Sequence, residues 1–178
     1  MKGEIYITAL SDFPLISKGD DLADLIAASL AANDILPEQG DIIVVAQKVV
    51  SKSEGRTVDL RSVSPRPEAV TLAEEVGKDP RVVELILTES RSIIRKKPGV
   101  LIVEHNRGWI MANAGIDASN VFSDSGQENV LLLPFDPDAS AHHLRAALVA
   151  RYAVAVGVVI SDSFGRPWRL GTSWVAIG

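Results

Sequence analysis

The first third of the chain shows two hydrophobic periods, which predict different elements. Alternation over residues 3–10 predicts a β-strand, and the apolar run at residues 41–46 predicts a buried strand. The segment between them repeats every three to four residues, which predicts a helix beginning after Asp20 and Asp21, where the helix dipole favours anions. Its inward face is formed by Leu22, Leu25, Ile26, Ser29 and Leu30.

The rest of the chain mixes helices and strands without a steady β-α-β rhythm. Two helices, at residues 67–76 and 80–88, each open with proline at the first helical position. A longer helix follows "DPDAS", with Asp138 or Ser140 as its cap. Strands are predicted at residues 57–60, 92–95, 100–104, 109–112 and 154–161. The pattern predicts one α+β domain over residues 1–178, with mixed sheets flanked by helices.

Composition narrows the classes of function. The chain has 178 residues, 47% of them hydrophobic and 23% charged, and a formal net charge of −5. The negative charge argues against a general nucleic-acid binder. There is no cysteine, so disulfides, thiolate metal sites and cysteine nucleophiles are excluded. The longest apolar run, residues 153–160, is far shorter than the ~20 residues of a membrane helix. We therefore expect a cytoplasmic protein with no membrane partner.

Asp162 and Ser163 directly follow the apolar run at residues 154–161, in the stretch "VVISDSFGRPWRLG". A carboxylate at the carboxyl end of a buried strand lies where ligands bind in open α/β sheets. Beside a hydroxyl, it suits a hard cation such as Mg²⁺ or Mn²⁺. The alternative is an ordinary turn, since aspartate, serine, glycine and proline are all turn residues.

Two other segments offer polar groups to the same kind of site. In "MANAGIDASNV", small residues allow close backbone approach, and Asp117 and Asn120 are three residues apart. A plain loop with an Asx-turn explains this segment equally well. In "QKVVSKSEGR", cations spaced by four could neutralise phosphates, or could simply form a solvated face. The three histidines, His105, His142 and His143, have no ligand spacing and are expected at the surface or as capping residues.

Five ordered blocks give the chain a specific resemblance: "FPLISKGDDL", "GDIIVVAQKVVSKSEGR", "ANAGIDASNV", "LLPFDPDASAHHLR" and "VVISDSFGRPWRLG". Together they resemble the coenzyme F420 gamma-glutamyl ligase family. The resemblance implies a homodimeric ligase that adds L-glutamate to the coenzyme F420 precursor through an acyl phosphate. It also implies GTP as co-substrate, Mg²⁺ or Mn²⁺, and K⁺ as a further candidate cation. Family members are usually longer, so we expect this chain to lack their C-terminal portion.

The resemblance also implies roles for particular residues. The implied metal ligands are Asp117, Asp162 and Ser163. The implied GTP contacts are Gln47, Lys52, Asn120 and the loop Phe13, Pro14, Leu15 and Ile16. Ser163 stands where the family pattern has threonine, and Gln47 where it has serine or threonine. To these we add Arg166 and Arg169 as phosphate or coenzyme contacts, the alternative being salt bridges at a subunit interface.

Two alternatives to this function remain open. The chain could ligate an amino acid to a different small carboxylate, since Gln47 and the Phe13–Ile16 loop depart from the family pattern. It could also be a non-catalytic nucleotide-binding module.

Overall fold

The computed structural model describes residues 4–118, 128–165 and 171–178. Within them the helices are α1 (Leu22–Ala32), α2 (Gln47–Ser53), α3 (Pro67–Val76), α4 (Pro80–Thr88) and α5 (Pro137–Tyr152). The strands are β1 (Ile42–Ala46), β2 (Thr57–Asp59), β3 (Ser90–Lys97), β4 (Val100–His105), β5 (Ile110–Ala112), β6 (Asn129–Leu131), β7 (Gly157–Gly165) and β8 (Thr172–Ala176). The fold is α+β, as predicted. No helix in the described ranges is long and apolar enough to cross a membrane.

The strands form three small sheets. The first has the order β1-β7-β8, with β1 and β7 parallel and β8 antiparallel to β7. The second pairs β2 with β6, and the third has the order β3-β4-β5; both are antiparallel. The parallel β1–β7 pair has carboxyl ends at one edge, where α2 leaves β1 at once, and this edge holds the candidate site.

Two hydrophobic cores lie on different parts of the chain. The first is built from α1, α5 and one face of the β1-β7-β8 sheet, with Ile26, Leu148 and Ile160 almost fully buried. The second lies within residues 60–132, where α3 and α4 pack against the β3-β4-β5 sheet around Val76, Ile86 and Val103. The second core therefore occupies the long connection between β1 and β7.

Local signals placed most helix ends correctly. Helices α3 and α4 begin at Pro67 and Pro80, as predicted, and the Asp21 carboxylate caps α1 by accepting hydrogen bonds from two backbone N–H groups. The predicted cap of α5 was wrong. The Asp136 carboxylate accepts from the Ala139 N–H at 3.1 Å, because the helix starts at Pro137 and Asp138 already lies in its first turn. The Ser140 hydroxyl donates instead to Glu54, at 2.6 Å.

The expected strand at residues 3–10 does not form in the described part of that segment. Residues 4–10 have no regular secondary structure, and Ile5, Tyr6 and Ile7 are exposed. Alternation alone cannot make a strand, because a strand needs a neighbour that pairs with its backbone groups.

The strand predicted at residues 41–46 forms as β1, but it is buried on one face only. Ile42 and Val44 are 66% and 64% exposed, whereas Val45 is buried. Among the described residues, the helices cover just one side of the β1-β7-β8 sheet, and Ile42 and Val44 are exposed on the other side. Trp174 on β8 is 72% exposed and faces the same side, with Val44 and Val159 lining a shallow concavity of about 460 Å³.

His105 was expected at the surface or as a cap; it is not at the surface, but its Nδ1 accepts a 3.1 Å hydrogen bond from the Arg107 backbone N–H in the turn after β4. Its side chain is only 4% exposed, on the inward face of β4, and its ring lies 5.2 Å from that of Trp109. Its Nε2 is 3.7 Å from Glu89, which in turn accepts a 2.7 Å hydrogen bond from Arg56. His142 and His143 are exposed, as expected.

Candidate active site

The site begins where β1 passes directly into α2. Ala46 is the last residue of β1 and pairs with Ser161 of β7, so Gln47 and Asp162 are the next residues at the carboxyl ends of two parallel strands. This edge is where ligands bind in open α/β sheets. The sequence predicted that the strand ends before Asp162. Strand β7 continues to Gly165 instead, because β8 pairs with it through Gly165.

The Asp162 carboxylate is half-buried beneath this edge. Burial raises its pKa above the usual range, and the nearby negative charge of Asp117 adds to this effect. The Ser163 backbone N–H, the Lys48 ammonium group and a hydrogen bond from Gln47 act in the opposite direction without cancelling it. Gln47 is itself only 3% exposed, and its Oε1 accepts a 2.9 Å hydrogen bond from Ser51. Gln47 therefore holds the carboxylate in place.

Asp117 reaches the same place from the other side, after a tight left-handed turn. Asn113, Ala114 and Gly115 all have positive φ, of 53°, 53° and 70°. A Cβ on Gly115 would meet Leu133 and Met111 side-chain atoms at 2.7 Å, so only glycine fits there without movement. Two backbone hydrogen bonds of 2.9 Å then fix Asp117 against Leu131 of β6.

Lys48, the second residue of α2, connects the two carboxylates electrostatically. Its Nζ lies 2.5 Å from Asp117 Oδ2, and its charge also lowers the pKa of Asp162. Lys48 is 54% exposed, whereas the Asp117 side chain is 21% exposed. The arrangement presents two carboxylates and one mobile cation at one edge of a sheet, which suits a divalent ion and phosphate oxygens.

The other expected metal ligand, Ser163, points elsewhere. Strand side chains alternate, so its hydroxyl lies on the opposite face of β7 from Asp162, beside Trp174 of β8. Ser163 contributes its backbone N–H to Asp162 instead. Among the described residues, no group of three or more histidine, aspartate or glutamate side chains is placed to hold a metal.

The expected GTP contacts fall at different distances from this edge. Gln47 is part of it, and Lys52 lies in the last turn of α2, partly exposed. The loop at residues 13–16 precedes α1 and lies on the same side as the end of α2, where the Gly19 N–H donates to the Ser53 carbonyl at 2.8 Å. Phe13 and Ile16 pack on the first core, while Pro14 and Leu15 are exposed. Asn120, Arg166 and Arg169 lie outside the described residues.

Sequence reasoning did not single out Lys48 or Asn113 as site residues. Lys48 was one of three cations in a run, and only the β1–α2 junction shows that it alone meets Asp117. The Asn113 Oδ1 is buried with no hydrogen-bond partner among the described residues. An asparagine followed by alanine and glycine is typical of left-handed backbone, and that signal could have found it.

Comparison with known proteins identifies the family of this chain. A family model described as F420-0:Gamma-glutamyl ligase matches residues 12–178, which include every described element and both aspartates. The chain belongs to this family. The resemblance noted from the sequence is thereby confirmed for the F420-0:gamma-glutamyl ligase family.

Individual relatives in this family are similar over most of the chain. This chain is 48% identical to the coenzyme F420:L-glutamate ligase of Methanopyrus kandleri, and the match covers 92% of this chain and 61% of the relative. Identity is 43% to the enzyme of that name from Methanothermobacter thermautotrophicus, over 98% of this chain and 68% of the relative. The enzyme of that name from Archaeoglobus fulgidus is 39% identical, over 100% of this chain and 67% of the relative. The chain thus spans about two thirds of the length of these relatives.

Proposed function

We propose that this chain acts in the GTP-dependent ligation of L-glutamate to a carboxylate of the coenzyme F420 precursor. The observation that carries the proposal is the convergence of Asp117 and Asp162, 45 residues apart in sequence, at the carboxyl ends of β1 and β7. Membership of the F420-0:gamma-glutamyl ligase family supports the choice of reaction.

A divalent cation, Mg²⁺ or Mn²⁺, fits the residues present. Asp117 raises the pKa of Asp162, which means that two negative charges are held together at a cost in free energy. Lys48 forms an ion pair with only one of them. Asp117 and Asp162 would hold the ion, which supplies neutralisation of charge on phosphate oxygens.

In this proposal the chain's own residues bind and orient the substrates and neutralise the charge on phosphate oxygens. A carboxylate is a poor acyl donor, so a carboxylate oxygen of the precursor first attacks the γ-phosphorus of GTP and GDP leaves. The amine nitrogen of glutamate attacks the resulting acyl phosphate, releasing phosphate and a proton. Such a reaction needs little covalent help from the protein and depends on positioning and electrostatics. Lys48 and Lys52 lie one turn apart on α2 and in this proposal neutralise phosphate oxygens, while a hydrogen bond from Gln47 orients the Asp162 carboxylate.

The test measures cation binding and ligation separately. Asp162→Asn and Asp117→Asn should each weaken Mn²⁺ binding at least tenfold, read from the electron paramagnetic resonance signal of free Mn²⁺, and should abolish GTP-dependent joining of mass-labelled glutamate to the precursor. Asp138→Asn, an exposed carboxylate in the first turn of α5, is the matched control and should change neither measurement.

Three results would contradict parts of this proposal. Near-normal turnover in Asp162→Asn would remove the metal assignment. Ligation to other small carboxylates, but not to the F420 precursor, would favour the broader amino-acid ligase. Tight GTP binding by calorimetry with wild-type ligation absent would favour a nucleotide-binding module.

The proposal also includes a homodimer. The uncovered apolar side of the β1-β7-β8 sheet, with Ile42, Val44 and Trp174 exposed, supports it, because contiguous exposed apolar surface is typical of interfaces. Light scattering should give twice the chain mass for the wild type, and Trp174→Ser should shift it toward the monomer. Leu36→Ser, at an exposed leucine outside this sheet, is the control. A monomeric wild type at micromolar concentration would contradict the homodimer.

A further inference from the structure

Strand β3 concentrates cations in a chain that is negatively charged overall. Its sequence, "SRSIIRKK", carries Arg91, Arg95, Lys96 and Lys97, although the net charge of the chain is −5. All four are exposed, and within the described residues only Lys96 has an ion-pair partner, Glu75. Most other described arginines and lysines form ion pairs or donate to backbone carbonyls, and three of the six described cations without such a partner lie on this strand: Arg91, Arg95 and Lys97.

The register of the sheet shows which face these cations occupy. Leu101 and Val103 of β4 point into the second core, and Lys96 lies opposite Leu101, on that inward side. Arg95 lies opposite Ile102 and Lys97 opposite Val100, on the outward side. Arg95 and Lys97 are therefore neighbours on the outer face of the sheet, about 7 Å apart by the rise of a β-strand.

The outer face continues from the cations across the sheet to β5. Arg95, Ile102 and Ala112 form one row across β3, β4 and β5, which spans about 10 Å at the usual strand spacing. Ala112 directly precedes the left-handed turn that delivers Asp117. The neighbouring row on the same face is Ser92, Glu104 and Ile110, in which the Glu104 carboxylate accepts a 3.0 Å hydrogen bond from Ser92 and Ile110 is 53% exposed.

We infer that the outer face of the β3-β4-β5 sheet binds the anionic tail of the acceptor, with Arg95 and Lys97 pairing with its carboxylates. The inference rests on the proposed function. Each ligation consumes one acceptor carboxylate and brings two with the new glutamate, so the acceptor gains one negative charge per round. A ligand whose reacting carboxyl lies at Asp117 and Asp162 can therefore extend across Ala112 and Ile102, placing earlier carboxylates beside the cations.

A different physical role for these cations must be separated from binding. Strand β3 is a sheet edge, and edge strands often carry charges and bulges that prevent edge-to-edge aggregation. It has register irregularities between Ser90 and Ser92 and between Ile93 and Arg95. Protection of an edge needs charge of either sign, whereas recognition of carboxylates needs positive charge.

The experiment measures binding of a fluorescent, γ-linked pentaglutamate to the full chain by anisotropy, without GTP or divalent cation. The wild type should bind, and added salt should weaken binding because the contacts are exposed ion pairs. Arg95→Gln with Lys97→Gln should weaken binding about tenfold, as expected for losing two exposed ion pairs. Arg61→Gln with Arg151→Gln removes the same charge from two exposed arginines elsewhere and should change affinity less than twofold.

The outcomes separate the possibilities. Absence of wild-type binding, or equal binding by the Arg95 and Lys97 variant, would overturn the inference. So would equally tight binding of duplex DNA, which would indicate a nonspecific polyanion surface. Arg95→Glu with Lys97→Glu should lose the peptide while staying as soluble as the wild type; retained binding would contradict carboxylate recognition. Peptide binding is measured without GTP or divalent cation, so failure of the metal proposal would leave this inference standing.

Discussion

Arg56 offers a direct test of how burial changes the value of an ion pair. Its Nε donates to the Leu133 carbonyl and its guanidinium to Glu89, both at 2.7 Å, and it stacks on the Phe135 ring at 4.2 Å. Burial alone would raise the pKa of Glu89, but the hydrogen bond from Arg56 and the His105 side chain, whose Nε2 lies 3.7 Å away, outweigh it and lower the pKa. Glu89 is therefore ionised in the folded protein and depends on these partners.

Replacing Arg56 with methionine keeps a long apolar side chain and removes the charge. The side chains of Arg56 and Glu89 are only 10% and 18% exposed, so the change leaves a carboxylate in a poorly solvated place. Breaking such a pair costs about 3–5 kcal/mol. Because the pair retains some solvent contact, we expect the lower end, about 3 kcal/mol of unfolding free energy.

A matched pair on the surface gives the control. Arg66 also contacts a glutamate, Glu84, at 2.7 Å, but the arginine side chain is 58% exposed. Exposed pairs contribute about 0.2–1 kcal/mol, so Arg66→Met should cost under about 1 kcal/mol. Urea unfolding followed by circular dichroism measures both variants. Equal losses would refute the reasoning, since the two ion pairs share one distance but differ in burial and in the additional contacts of Arg56 with the Leu133 carbonyl and the Phe135 ring.

Two further predictions concern the site itself. Because burial and Asp117 raise the pKa of Asp162, its ionised form is disfavoured in the folded state; Asp162→Asn should therefore increase stability at pH 7 in a chelating buffer, and the gain should shrink as the pH falls through the folded pKa. A gain that grew on acidification would contradict the direction of this shift. Gly115→Ala should lose about 2–4 kcal/mol, from a positive φ and crowding against Leu133, whereas Gly99→Ala, with a positive φ but open space, should lose about 1–2 kcal/mol. Equal losses would mean that the packing around Gly115 is loose.

Local sequence signals predicted many of the helices and strands. Features that depend on contacts with residues distant in sequence could not be predicted. Proline at the first helical position places the starts of α3 and α4, because that preference belongs to the residue itself. Whether β1 is covered on both faces depends on helices distant in sequence. The apolar run therefore predicted a fully buried strand, whereas only one face of β1 is buried. Strand β6 was missed because its residues, "NVL", are too few to show a period.

The candidate site was predictable in its members but not in their arrangement. The sequence suggested Asp117 and Asp162, and the structure brings them within electrostatic reach. It could not show that Ser163 faces away, because that depends on β7 continuing through Asp162 to pair with β8. Nor could it show that Lys48, rather than Lys52, meets Asp117, since this depends on α2 starting immediately after β1.

The parallel pairing of β1 with β7 has a consequence for how the chain acquires its structure during synthesis. Val44 and Val159 are partners although about 115 residues separate them, and loop closure over that span is slow. The contiguous core at residues 60–132 requires no such closure. We expect it to consolidate first on a ribosome-bound nascent polypeptide, leaving Ile160 and the acidic edge to assemble only after β7 has been translated.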